Sequence, residues 1–441
     1  MGLGLHVPAR PPARPPRHAR ALAGRAPGRL LSDESGGTGW RRLALVFATA
    51  GFIETVGFGH FVSFLPLLVR DLGVPEADVA TTVGLLSAAA LFFGLPLVPF
   101  WGVWADKYSR KAIVVRSAAV ESVLFLAMAL VSAPWQLFLL VPLVGLVLGN
   151  TGVMLAELTD RTPRSRLGLA ISLVAMSGPL GFAVGPAAGG FLVDRYGVQA
   201  LFLVDTILTL GVVALLLFAY HERPDRPRAT EPVLRLVGRS LRAIVGSPLA
   251  RAIFSAYFFV LLGQRFLLPY LALYVEELQG SAGLATIVGL VAGAYGLASA
   301  VGSPIAGGLG DRFGYRRVFG LGVGLAMVCL AAAAFAPGIV VFGLVYAGFG
   351  VGFAAASAML FTMLASGLPA GIRSSVLNLA LAPLYISGVI GSLASAALIG
   401  ATGGDLRPIW LVSAVVVAIA IIPVTRLRTA TAAVPGGGPA A

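Results

Sequence analysis

The sequence predicts an all-α membrane protein of about twelve transmembrane helices in two six-helix pseudo-repeats. Three observations carry this reading. Of the 441 residues, 58% are hydrophobic and only 12% charged, about half the charged share of a soluble domain. A dozen apolar runs are long enough to cross a bilayer core about 30 Å thick, which takes roughly 20 helical residues. The two halves also echo each other: GVWADKYSRK at 102–111 matches GGLGDRFGYRR at 307–317, and LPLLVRDLG at 65–73 matches LALYVEELQG at 271–280.

Taken in order, residues 1–40 are rich in Pro, Arg and Gly, with no apolar stretch of signal-peptide length. They read as a disordered basic cytoplasmic tail, either attracted to anionic lipid or an unselected extension. An N-terminal bundle over 41–220 holds spans 1 to 6 at 43–68, 79–104, 113–133, 135–156, 167–191 and 199–219. A cytoplasmic linker, 221–248, carries Pro224, Pro227 and Pro232 among charges. Its stretch 233–245 sets Arg residues on one helical face, as in a helix lying on a membrane surface. A C-terminal bundle over 249–428 holds spans 7 to 12 at 250–275, 284–309, 317–336, 338–362, 373–399 and 408–425, and residues 429–441 read as a disordered tail. Runs of this length exclude an outer-membrane barrel, whose strands are about 10 residues and strictly alternating. The 56 glycines suit membrane helices, which associate by close backbone approach.

Twelve spans place both termini on one side. Of 32 Lys and Arg residues, 28 fall on that side; Arg70, Arg195 and Arg407 lie opposite, and Arg265 is inside a span. The positive-inside rule then makes both termini cytoplasmic in a cell (plasma or inner) membrane. A net charge of +13 is therefore a matter of topology and lipid contact, and no nucleic-acid partner is expected. The single Cys329 excludes a disulfide scaffold and a thiolate cluster. Of four His residues only His60 lies in a span, which argues against a metal or haem centre. No cofactor is expected. No nucleotide-binding loop, metal cluster or nucleophile–base set is present, so the chain reads as a non-enzyme without ATP drive. A duplicated six-helix unit points to a transporter with a central site that opens alternately to either side.

The loop residues Gly102, Asp106, Arg110 and Lys111 resemble the cytoplasmic loop pattern of the major facilitator superfamily, with Ser109 in place of a Gly. The second copy keeps Gly307, Asp311, Arg312 and Gly314, while Tyr315 stands in the Arg place and Arg316 follows. In span 5, GFAVGPAAGG at 181–190 is similar to the drug:proton antiporter signature at Gly181, Gly185, Pro186, Gly189 and Gly190. The resemblance covers roughly residues 40–428 and implies the major facilitator fold. Physical reasons stand beside it. A carboxylate at Asp106 can pair with Arg110 and cap orphan N–H groups, either as a turn clamp or as a gate that releases in one conformation. Gly181, Gly185 and Gly189 recur every fourth residue and make one flat helix face, and Pro186 kinks or stiffens that helix.

An ionisable group inside a span costs roughly 2.5–3.5 kcal/mol on insertion scales and marks a functional candidate. Glu54 lies about eleven residues into span 1, roughly 17 Å from its start and near the midplane. Arg265 lies somewhat past the midplane of span 7. The resemblance implies that spans 1, 4, 7 and 10 line the cavity, so Glu54 and Arg265 could face each other. Two readings stand for Glu54: a proton or substrate group, or a permanent ion pair with Arg265. Arg265 could instead anchor an anionic substrate. Glu121 in span 3 and Asp205 in span 6 fall on helices that the resemblance makes scaffold, where polar pairing between helices is the first reading; Glu121, with nothing local to neutralise it, is also a proton-coupling or substrate candidate. His60 is either a packed, hydrogen-bonded residue or a proton relay, and Asn150 in span 4 is either cavity-facing or helix glue. Phe52, Phe58, Phe61, Tyr257, Phe258, Phe266, Tyr270 and Tyr274 gather in spans 1 and 7, where an aromatic wall suits flat apolar or cationic ligands. The branch usually carries an Arg in span 4; here 141–149 reads VPLVGLVLG.

The expectation is thus a monomeric, proton-coupled exporter of hydrophobic or amphipathic small molecules, with protons, substrate and membrane lipid as its partners. A transporter of a specific polar or anionic solute held by Arg265 is the second reading, and a non-transporting sensor or scaffold the third.

Overall fold

The structure, a computed structural model, describes residues 36–147, 150–163, 165–222, 233–367, 379 and 382–426. Residues 1–35 of the tail expected at 1–40, the tail expected at 429–441 and residues 223–232 of the linker expected at 221–248 lie outside the described residues. Among the described residues, twelve helices are long and apolar enough to cross a membrane: Gly39–Asp71, Glu76–Leu97, Arg110–Ala129, Pro134–Arg161, Leu167–Tyr196, Val198–Ala219, Pro248–Gln279, Leu284–Phe313, Tyr315–Ala333, Ile339–Leu364, Ala382–Ala401 and Arg407–Thr425. They are spans 1 to 12 below. A further helix, Val233–Gly246, sits between spans 6 and 7 and lies against the start of span 7 and the helix Val98–Lys107. The helix of span 1 begins at Gly36, inside the segment read as tail. The first residues of the span read at 373–399 lie outside the described residues up to Ala382, apart from Leu379.

Four spans depart from the continuous helices the sequence suggests, span 12 only by a single turn residue, Ala420, between Arg407–Ile419 and Ile421–Thr425. Span 2 breaks at Phe93–Gly94, passes through a 3-10 turn at Leu95–Leu97, and restarts as Val98–Lys107. Span 4 is helical over Pro134–Leu140, tightens to 3-10 over Val141–Leu146, and resumes at Asn150–Arg161. Span 7 is interrupted by a 3-10 turn at Leu268–Tyr270. Pro96, Pro142 and Pro269 explain the breaks in spans 2, 4 and 7, since each removes a backbone donor and its ring crowds the preceding turn. The breaks in spans 2 and 4 also touch. A Cβ on Gly94 would lie 3.0 Å from the Gly145 Cα, so only glycine lets these two backbones meet.

Large apolar side chains such as Leu210, Phe218, Leu321, Phe335 and Leu344 face outward. On a soluble protein that belt would be an aggregation surface; here it is the lipid-facing surface. Inside, a large aromatic cluster in the second half joins Tyr274, Phe342, Tyr346 and Trp410, with ring centroids 4.8–5.9 Å apart.

The two six-span halves meet along spans 5 and 8 and along spans 2 and 11. Small residues make both seams. Gly289 and Gly293 of span 8 lie against Pro186 and Ala183 of span 5, and Gly84 of span 2 lies under Ser392 and Ala396 of span 11. At the end carrying Arg70, polar clasps close the seam. Arg70 Nη1 donates to Glu276 Oε2 at 2.7 Å while its Nε and Nη2 bind Glu76. Asp194 of span 5 accepts the N–H groups of Ala285 (3.0 Å) and Thr286 (2.8 Å), capping span 8. Gly283, at φ +61, turns the chain into that helix. Asp194→Ala should therefore lower the melting free energy by about 1 kcal/mol, the usual worth of a helix cap. Arg70→Ala should cost less than about 1 kcal/mol, because its pairs are partly exposed. Thermal melts of the purified variants check the order.

Candidate functional site

Span 1 carries Glu54, which is 8% exposed. The side-chain amide of Asn150 donates to its Oε2, and Oε1 has no hydrogen-bond partner among the described residues. Asn150 begins the described helix Asn150–Arg161 of span 4, just past residues 148 and 149, which lie outside the described residues.

Arg265 does not pair with Glu54, which corrects the ion-pair reading. The guanidinium sits one turn before the break in span 7, within reach of Tyr257, Tyr295 and Tyr385. Its Nε lacks a partner among the described residues. It lines a narrow pocket, with about 30 Å³ of open space, together with Phe58, Phe61, Ser87, Leu268 and Ser392, drawn from both halves. The aromatic wall is only partly real. Phe58 and Phe61 line this pocket, but Tyr270 and Tyr274 are packed away, their hydroxyls donating to Ser392 O (3.3 Å) and Ala333 O (2.8 Å). Tyr257 faces Phe361, with ring centroids 5.1 Å apart.

His60 and Asp205, remote in sequence, form a buried pair. Nδ1 of His60 lies 2.9 and 3.0 Å from the two carboxylate oxygens, and Nε2 lies 2.7 Å from the carbonyl oxygen of Gly185. Glu121 is also buried, lies within electrostatic reach of Glu54 and Asp205, and leaves Oε2 without a partner among the described residues.

The span 5 glycines pack span 1 against them. A Cβ on Gly181 would lie 2.6 Å from Phe52 O, one on Gly185 2.9 Å from Val56 O, and one on Gly189 2.5 Å from the His60 ring. Gly190 turns the other way, onto Ala285 of span 8, and Pro186 serves both sides, its ring beside Gly59 of span 1 and its carbonyl against Gly289 of span 8. One motif therefore serves both an internal contact and the seam between halves.

At the basic end, the side chains of Gly102 and Asp106 lie outside the described residues. Arg110 binds Glu157 (2.9 Å) and Asp160 (2.7 Å) of span 4. Ser109 caps span 3 by accepting from Ala112 N, and Glu222 accepts from Arg110 N at 2.8 Å. Lys111 donates to Leu217 O at 2.7 Å. In the second copy Gly307 is open to its surroundings, Arg312 is exposed, and Tyr315 donates to Asp311 at 2.8 Å.

Sequence reasoning missed Arg116. It counted as a loop charge, yet it lies in span 3, stacks 3.6 Å from the Trp101 ring centroid and donates to Leu146 O at 2.7 Å. Its neighbour Ser117 donates to Val147 O. The two satisfy carbonyls freed by the break in span 4, so a cation reaches that break from the adjacent span. Arg116→Lys should keep the charge but lose the planar stack and fork, costing about 1 kcal/mol of stability; Arg116→Ala should cost more. Melting curves with bound and free ligand check this.

A family model described as Major Facilitator Superfamily matches residues 47–287 and 253–440. The multidrug resistance protein MdtG of Citrobacter koseri is 32% identical over 285 residues, 63% of this chain and 69% of that one. MdtG of Salmonella typhi is 31% identical over 282 residues, with the same coverage. Among solved structures, the nucleoside transporter NupG superposes with a TM-score of 0.70 at 16% identity, covering 88% of this chain and 99% of that one. A bacterial homolog of the human lysosomal transporter Spinster, inward-facing and unoccupied, gives 0.67 at 16% identity, covering 89% and 96%. At these identities the structures attest the fold alone.

Proposed function

The chain belongs to the Major Facilitator Superfamily and is an integral membrane secondary transporter of small molecules; on that premise we propose that it exports hydrophobic or amphipathic compounds in exchange for protons. The observation that carries the proposal is Glu54, buried against Asn150 of span 4 with one oxygen free of any partner among the described residues. Such a carboxyl can take a proton when the site faces one side and release it when the site faces the other, while a cationic or amphipathic substrate competes for the same place. The likeness to MdtG, a multidrug resistance protein by name, supports a broad substrate range. Both termini face the cytoplasm by the positive-inside rule, so the Arg70–Glu276 and Asp194 clasps close the outer end. The helix Val233–Gly246 lies on the inner membrane surface, and the chain works as a monomer.

A second reading follows from Arg265. A guanidinium with an unsatisfied Nε in a pocket shared by both halves suits the carboxylate or phosphate of a specific anionic solute. Efflux of a lipophilic cationic dye from cells lacking their own pumps separates the two. Export above empty vector, lost on adding an uncoupler, fits the proton antiporter. No dye export, together with transport inhibited by organic anions and lost in Arg265→Ala, favours the anion reading.

A further inference from the structure

His60 is held by two groups that accept hydrogen bonds. A carbonyl oxygen only accepts, so Nε2 facing Gly185 O at 2.7 Å carries a hydrogen. An ionised carboxylate also only accepts, so Nδ1 facing both oxygens of Asp205 carries one as well. The ring is then an imidazolium paired with a carboxylate. A neutral ring beside a protonated Asp205 would hold the same single proton. Either way this site, whose residues are 4% and 1% exposed, stores one proton that can dissociate.

The surroundings are built for it. Gly189 is the one residue type that fits under the imidazole, since a Cβ there would lie 2.5 Å from the ring. Span 5 offers the ring a backbone carbonyl and two glycines. Span 6 offers Asp205, and span 1 itself carries Glu54 one and a half turns away. Span 3 supplies the remaining acid. Phe125 of span 3 packs on Gly57, between Glu54 and His60, and stacks on Phe202 of span 6 with centroids 5.7 Å apart. Glu121 lies one turn before Phe125 and Asp205 three residues after Phe202. That register brings Glu121 and the backbone of Asp205 to the level of Glu54, while the Asp205 carboxylate reaches across to His60. Glu54 and Asp205 both lie within electrostatic reach of Glu121.

We propose that His60 and Asp205 form a second proton-binding pair, connected to Glu54 through Glu121, so that the first half of the molecule carries protons along spans 1, 3 and 6. The inference rests on the proton-coupled reading above. In the transfer, the His60 Nδ1–H bond breaks and an Asp205 O–H bond forms; the proton then passes to the Glu121 carboxylate and on to Glu54, leaving a neutral imidazole that the outer side reloads. Substrate meets this line at Glu54, where it competes with the last proton.

The test uses the whole protein. Nitrogen-15 NMR of histidine-labelled protein at pH 7, with His60 assigned by the signal lost in His60→Gln, is expected to show both ring nitrogens protonated; Asp205→Asn should return the ring to neutral. In proteoliposomes, dye transport driven by a pH gradient should fall at least about tenfold in His60→Gln and in Glu121→Gln, while downhill dye equilibration without a gradient stays within about twofold of wild type. A His60 ring that is neutral in the wild type and whose nitrogen shifts are unchanged in Asp205→Asn overturns the pair. Gradient-driven transport that survives both substitutions overturns the relay. Equal loss of driven and downhill transport makes the pair a structural staple and overturns it too. Failure of wild-type protein to respond to the gradient defeats the proton-coupled reading instead, and leaves the NMR result to decide the pair.

Discussion

Glu54→Gln is expected to abolish efflux driven by a proton gradient while leaving the protein folded and in the membrane. Gln keeps the shape of the side chain and can still accept the Asn150 hydrogen bond, but it cannot gain or lose a proton. Loss of the exchangeable proton removes the coupling itself, so driven transport should drop at least about tenfold, toward the level of empty vesicles, with dye binding retained. Asn150→Ala should act in the same direction but less completely, because it removes the donor that orients the carboxyl and leaves the acid in place. Dye transport in inverted vesicles, with and without an imposed gradient, measures both.

The second large effect is expected at the seam between halves. Gly289 of span 8 faces the carbonyl of Pro186, and a Cβ there would also lie 3.2 Å from the Ala187 Cα. Both neighbours are backbone and cannot rotate aside. Gly289→Leu should therefore wedge spans 5 and 8 apart. An overpacking cost of about 1–3 kcal/mol falls on the state closed at the Arg70 end, which shifts the conformational equilibrium about 5- to 150-fold toward opening there. Ser87→Cys, in the central pocket and in a Cys329→Ser background, reports the shift. A membrane-impermeant thiol reagent applied from the Arg70 side should label it much faster in the Gly289→Leu protein. Gly307→Ala, at a position open to its surroundings, should leave the labelling rate unchanged.

The spans were legible because hydropathy over twenty residues is a strong local signal, and the repeat fixed their grouping. The breaks in spans 2, 4 and 7 were written at Pro96, Pro142 and Pro269, but proline is common enough in membrane helices that no single one announces a break. Glu54 and Asn150 stood out singly because polar groups in hydrocarbon are costly. Their contact did not, since 96 residues separate them. The same limit hid the His60–Asp205 pair, 145 residues apart. Arg116 failed differently: at the margin of an apolar run, a charge serving a neighbouring span looks like any loop charge. Arg265 and Glu54 were each recognised, yet shared depth in the membrane suggested a pairing that the structure denies.

The most direct measurement is proton release on substrate binding, made with detergent-solubilised protein in weak buffer near neutral pH. Adding the cationic dye to wild type should acidify the medium by displacing protons, and adding it to Glu54→Gln should not, although the dye still binds. Dye binding to wild type with no proton release, or equal release from both proteins, would contradict exchange at Glu54.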